Sequence, residues 1–156
     1  MAYKYVYGYE EEVRKVPKLQ TNRNMWKFML LNVLTLGIYS VVFFIPFSFD
    51  LDKVSPKKDL SKTMNYLLAY ILSIFTFSAV LLIWHYQIAD RVGDALSERN
   101  ISYEFDTETF WLWYVFGSLL LFVGVFVYMH KLCTAMNLLC ESYNEEAEKK
   151  ENAKRR

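Results

Sequence analysis

TLGIYSVVFFIPFSFDLDK, Thr35 to Lys53, runs fifteen residues without a charge and then ends in Asp-Leu-Asp-Lys. Such a run is a buried core helix, a membrane span, or a span whose acidic end performs chemistry. Extended backwards it becomes Phe28 to Phe49, 22 positions free of charge. A helix needs about 20 such residues to cross roughly 30 Å of hydrocarbon, so the block is long enough. Thr63 to Ala89 (27 residues) and Thr109 to Met129 (21 residues) meet the same requirement.

The composition agrees with that segregation. The chain has 156 residues, 54% hydrophobic and 18% aromatic, with five Gly and three Pro. One domain fits this length. A soluble bundle needs helices that are apolar along one stripe, whereas Leu119 to Val127 offers no polar face to water. Trp26, Tyr66, Trp84, Tyr86, Trp111, Trp113, Tyr114 and Tyr128 stand near the block ends, where amphipathic rings favour the headgroup region. The fold class expected is an all-α integral membrane protein of three transmembrane helices, the second and third with amphipathic extensions.

Three regions follow. Residues 1–24 are a polar, aromatic-rich head, residues 25–144 the three-span domain, and residues 145–156 a charged tail, helical or disordered. In the head, YKYVYGY has a period of two; a short edge strand or a flexible segment explains it, and flexibility is the expectation. Glu10, Glu11 and Glu12 with six basic residues before Phe28 predict an uncleaved anchor rather than a secretory signal. Pro46 predicts a bend near the end of the first span. Ser55-Pro56 predicts a helix start, and the second helix is expected to run from about Pro56 to about Arg99. Asp106 or Thr107 is the expected cap of the third span. Each block also runs out into Asp or Asn with an aliphatic residue close behind (Asp50-Leu51, Asp90 with Val92, Asn137-Leu138), a weak internal repeat.

Past the blocks, the sequence is similar to a bacterial family of small integral membrane proteins, the domain-of-unknown-function family numbered four-two-three-four. The carrying elements are KLQTNRNMWKFMLLNVLTLGIY, WHYQIADRVGDALSERNI, FWLWYVFGSLL and HKLCTAMNLLCESYN, between about Val16 and Asn144. The chain departs from the family at Asp50-Leu51-Asp52, where Asp-Ile-Asn is frequent, and at Phe75-Thr76-Phe77-Ser78, where a glycine-bearing TLGI-like turn is common. The resemblance implies a helical membrane protein and transfers no catalytic residue.

Three crossings would put Asp50, Asp52, His130 and Cys133 on one side of the membrane, and Arg23, Lys27, His85, Asp90 and Arg91 on the other. His130 and Cys133, spaced i, i+3, could then form half of a zinc site with Asp50 or Asp52; interfacial and solvated side chains explain the same residues without a metal. Cys133 and Cys140, about 10 Å apart along a helix, are too distant for a disulfide. No catalytic, cofactor or metal residue is expected, and Gly37, Gly117 and Gly124 are the expected helix-packing positions. The net charge of +1, with dispersed basic residues, argues against nucleic acid as a partner.

The partners expected are the lipid bilayer and either further copies of the chain or another membrane protein, in a multi-pass arrangement in the cell membrane. Association, as a homo-oligomer or as a subunit or regulator of an envelope complex, is the leading function. A small oligomeric transporter or channel lined by Asn32, Thr35, Ser40, Ser73, Thr76 and Ser78 is the alternative, and a membrane enzyme using Asp50, Asp52, His130 and Cys133 stands behind it.

Overall fold

A computed structural model describes residues 3–6, 9–12, 18–55, 63–119 and 123–154. All three apolar blocks fold back on themselves. Helix α1 (Met25–Leu34) and helix α2 (Tyr39–Val54) divide the first block, and α3 (Tyr66–Phe75) and α4 (Ala79–Glu98) divide the second. In the third, α5 (Thr107–Thr109) passes into a π-helical stretch (Phe110–Phe116) and a 3-10 turn (Gly117–Leu119), and the chain resumes as α6 (Val123–Lys154).

Ring contacts prove the reversals. Phe28 of α1 lies 5.5 Å from Phe44 of α2, although sixteen intervening helical steps would separate them by about 24 Å in one straight helix. Tyr66 and Trp84 are 4.7 Å apart across the second block, and Tyr114 and Tyr128 are 5.0 Å apart across the third. The expectation of three continuous spans is therefore corrected to three helical hairpins. The long helix expected from Pro56 to Arg99 is also corrected: Thr63–Asn65 are non-helical, Asn65 caps α3 by accepting from Leu67 N at 2.9 Å, and Thr76–Ser78 turn the chain. Its expected start at Pro56, like Pro17 and the extreme C-terminus, lies outside the described residues.

The first two turns are built alike. Leu36 and Gly37 in one, and Phe77 and Ser78 in the other, take φ of 51°, 94°, 48° and 67°, the left-handed region that costs a non-glycine residue about 1–2 kcal/mol. Their hydrogen bonds correspond. Gly37 N donates to Asn32 O and Ser78 N to Ser73 O. Thr35 Oγ1 donates to Leu31 O at 2.8 Å and accepts from Tyr39 N at 2.9 Å, while Thr76 Oγ1 donates to Leu72 O at 3.0 Å and accepts from Val80 N at 3.4 Å. Each threonine thus occupies backbone groups that the reversal would otherwise leave open. The repeat read from the block ends is carried more clearly by these turns.

Other local expectations resolve one by one. Asn24 caps α1 by accepting from Trp26 N and Lys27 N, and Asp106 caps α5 by accepting from Thr109 N. Helix α4 stops at Asn100, which takes φ 52° while Ile101 N bonds back to Leu96 O, the closure a left-handed residue permits. Helix α2 runs unbroken through Pro46. In the head, β1 (Tyr3–Val6) pairs antiparallel with β2 (Tyr9–Glu12), so the flexible segment expected there is a two-stranded hairpin.

The hairpins pack around α6, which buries Tyr128, Leu132, Ala135, Met136 and Leu139 against them. It is the one described helix long and apolar enough to cross a membrane by length and composition, and half of its apolar window is buried inside the protein. Trp84, Tyr66 and Tyr128, expected at the membrane interface, instead belong to this core.

Candidate functional site

The ends of the hairpins gather the charged side chains into one polar layer. Helix α2 carries Asp50 and Asp52 out of the first block, and each meets an arginine. Arg23 Nη2 lies 2.6 Å from Asp50 Oδ2, with the two side chains 2% and 13% exposed. Arg91 Nη1 lies 3.0 Å from Asp52 Oδ1, which also accepts from Thr63 N at 2.9 Å and from Thr63 Oγ1 at 2.6 Å. Three crossings would have held these arginines and aspartates on opposite sides of a membrane. That assignment is overturned, because hairpins return their ends to the side they left.

The Arg23 pair has further support. Nη1 donates to Gln20 O and approaches Cys140 Sγ at 3.4 Å, and the guanidinium carbon lies 5.4 Å from the centre of the Phe47 ring. Lys53 Nζ stands 3.5 Å from the other Asp50 oxygen. A buried guanidinium is tolerated only where such partners replace its water.

Two asparagines of α6 hold the extended segment that carries Arg23. Asn137 accepts from Arg23 N and donates to Arg23 O, each at 2.9 Å. Asn144 accepts from Leu19 N at 2.8 Å and donates to Leu19 O at 2.9 Å. Each carboxamide matches one donor and one acceptor of a single residue, as a neighbouring strand would. Residues 137 and 144 are seven apart and so share a helix face.

The expected site residues fall elsewhere in this frame. Asp50 and Asp52 are held in ion pairs, His130 is exposed, and Cys133 and Cys140 are buried free thiols. Among the described residues no three His, Cys, Asp or Glu side chains gather to hold a metal, so the set Asp50, Asp52, His130 and Cys133 is not brought together. The residues expected to line a path serve the turns, Asn32 accepting from Ser40 N at 3.1 Å and Ser40 Oγ donating to Gly37 O at 2.7 Å.

The expected packing glycines divide between a turn and a close contact within one hairpin. Gly37 sits in the first turn at φ 94° rather than in a helix contact. Gly117 and Gly124, expected to offer a strip to another helix, face each other across the third hairpin. A Cβ on Gly124 would overlap the Gly117 backbone and the Trp113 carbonyl.

Sequence reasoning missed Arg23, Arg91, Thr63, Asn137 and Asn144 as a set. A polar residue at each block boundary was visible, but the pairing was not.

The family model for a domain of unknown function (DUF4234) matches residues 23–94. That segment is similar to the DUF4234 family. It opens on Arg23 and closes just after Arg91, so it contains the first hairpin, most of the second, the buried Arg23–Asp50 pair and the half-buried Arg91–Asp52 pair. The wider resemblance, from about Val16 to Asn144, is matched over this DUF4234 segment. No curated protein and no solved structure matches the chain.

Proposed function

We propose that this is an integral membrane protein that acts by association, as a homo-oligomer or as a subunit or regulator of an envelope complex. The observation that carries the proposal is the apolar surface left uncovered on the hairpins. Leu36 is 92% exposed, Phe77 100% and Leu119 80%. Trp26, Leu30, Val33, Ile74 and Phe116 extend the same surface. Soluble monomers rarely leave patches of more than a few hundred Å² uncovered.

Catalysis has less support. Asp50 and Asp52 are each engaged by an arginine, and a general acid or base must be free to exchange a proton with substrate. A transport path has less support as well, because the polar side chains of the first two hairpins satisfy turn backbone.

Alkaline carbonate extraction of membranes, followed by crosslinking, tests the proposal. The chain is expected in the pellet, crosslinked to itself or to a recurrent partner. Release into the supernatant defeats the membrane reading, and a strictly monomeric pellet fraction defeats association.

A further inference from the structure

The first two turns and the start of α6 lie at the same end of the molecule, and the aromatic core shows it. Phe44, His85 and Tyr128 form a chain of ring contacts, at 5.3 Å and 5.7 Å, and so lie at one level. Gly37 is seven residues from Phe44, Ser78 seven from His85, and the interval from Leu119 to Val123 is centred seven from Tyr128. The first two turns therefore stand about 10 Å beyond that level, and Val123, five residues before Tyr128 on α6, stands about 7–8 Å beyond it on the same side. Asp50 and Arg91 lie six residues from the same rings in the opposite direction, and Asn137 and Cys140 further along α6 lie there too. Among the described residues, an apolar end carries the first two turns with Leu119 and Val123, and a polar end carries Arg23, Asp50, Arg91 and Asn137.

The apolar end has a measurable depth. Trp26 lies nine residues from Thr35, Tyr86 eight from Ser78, and Trp111 eight from Leu119; all three rings are exposed. At about 1.5 Å per α-helical residue, Trp26 and Tyr86 stand about 12–14 Å from their turns. Polar groups begin at the same depth, with Lys27 exposed next to Trp26 and Gln87 exposed next to Tyr86. One leaflet supplies about 15 Å of hydrocarbon, half of the roughly 30 Å of a bilayer, with Trp and Tyr favoured at its edge. A span crossing both leaflets would need about twice the depth these hairpins have.

We infer that the three hairpins enter a single leaflet from one face of the bilayer and return to that face, leaving their turns near the midplane and all polar ends on the side of entry. The inference rests on the membrane reading above and names the partner surface as one lipid leaflet. The turn chemistry fits it. Backbone at membrane depth is tolerated only where its polar groups are satisfied within the protein, and Thr35, Ser40, Ser73 and Thr76 do this with hydrogen bonds of 2.6–3.4 Å. Apart from Lys27, which adjoins Trp26, no charged residue lies between the belt and the described turns, where one would be costly.

Labelling from each face of sealed membrane vesicles tests the inference. On the wild-type chain, a membrane-impermeant amine reagent read by mass spectrometry should modify Lys27, Lys53 and Lys149 from one and the same face. Single cysteines at Lys53 and Glu98, in a background with Cys133 and Cys140 replaced by Ala, should react with an impermeant maleimide from that face. Cysteines at Leu36 and Phe77 should react from neither.

Modification of Lys53 and Glu98 positions from opposite faces, or of Leu36→Cys from the face opposite to Lys53, overturns the inference while leaving the chain a membrane protein. Recovery in the aqueous fraction as a dimer with Leu36 and Phe77 shielded means that a second copy covers the turns, and defeats the membrane reading itself. The lysine measurement needs no variant, so a cysteine variant that fails to fold leaves the test standing.

Discussion

Arg23 and Asp50 are 27 residues apart in the chain and 2.6 Å apart in the fold. A transmembrane helix between them would place a bilayer in the gap. Their contact, with the matching contact of Arg91 and Asp52, is what a returning hairpin produces.

Removing one partner of this pair leaves a charge buried without compensation, which costs about 3–5 kcal/mol. Asp50→Asn and Arg23→Ala should each lower the thermal midpoint of the purified protein by many degrees. In a double-mutant cycle the second substitution should add little to the first. Simple additivity would mean that the two side chains do not meet.

The duplicated turns predict parallel sensitivities. Thr35→Val and Thr76→Val remove a hydroxyl that both donates and accepts, at an expected cost of about 1–3 kcal/mol each, while Thr→Ser at either position should retain most of the stability. Denaturant titration of the four variants measures this. Equal stability of the Ser and Val forms would deny the hydroxyls their role.

Gly124→Val places a side chain into the Gly117 backbone and the Trp113 carbonyl. Neither can move without opening the third hairpin, so the variant should lose more stability than Gly37→Ala. In Gly37→Ala the space is open, with Tyr70 Oη 3.8 Å from the added carbon, and only the left-handed backbone at φ 94° is penalised. The ranking of the two thermal midpoints checks the distinction.

Asn137→Leu and Asn144→Leu each remove two hydrogen bonds to the segment before α1. Amide exchange at Leu19 should quicken in Asn144→Leu and at Arg23 in Asn137→Leu, with the helical core still protected. Unchanged exchange at both amides would show that the asparagines do not hold the segment.

Lys18 and Glu148 form an exposed ion pair. Glu148 holds the Lys18 ammonium above its ordinary value of 10.5, and Lys18 holds the Glu148 carboxyl below its ordinary 4.5. The lysine contribution is fully present below 10.5 and is lost as pH rises through its raised value. The carboxylate contribution is fully present above 4.5 and is lost as pH falls through its lowered value. Between those limits Glu148→Gln should lower stability by a small, pH-independent and salt-sensitive amount; a difference that changes steeply between pH 6 and 8 would contradict it.

The three charge-free blocks and their helical character were legible in the amino-acid sequence, as was a cap at Asp106 or Thr107, of which Asp106 is the one used. Hydropathy could not reveal the reversals. It counts apolar side chains and is blind to φ, and Leu36, Phe77 and Ser78 carry no turn signal although each sits in the left-handed region. The threonines that close the turns read as mild polar interruptions, since a hydroxyl bonded to its own chain looks in sequence like one awaiting a ligand.

What composition alone determined was where charge is absent and how long each apolar block runs, because burial or immersion of an uncharged stretch follows from its transfer free energy. Only the tertiary structure decided which way each block travels. That choice rests on contacts between residues far apart in the chain: Phe28 on Phe44, Tyr66 on Trp84, Tyr114 on Tyr128, and the arginines on Asp50 and Asp52. No local pattern encodes these contacts, and they turn three apparent crossings into three hairpins with their ends together.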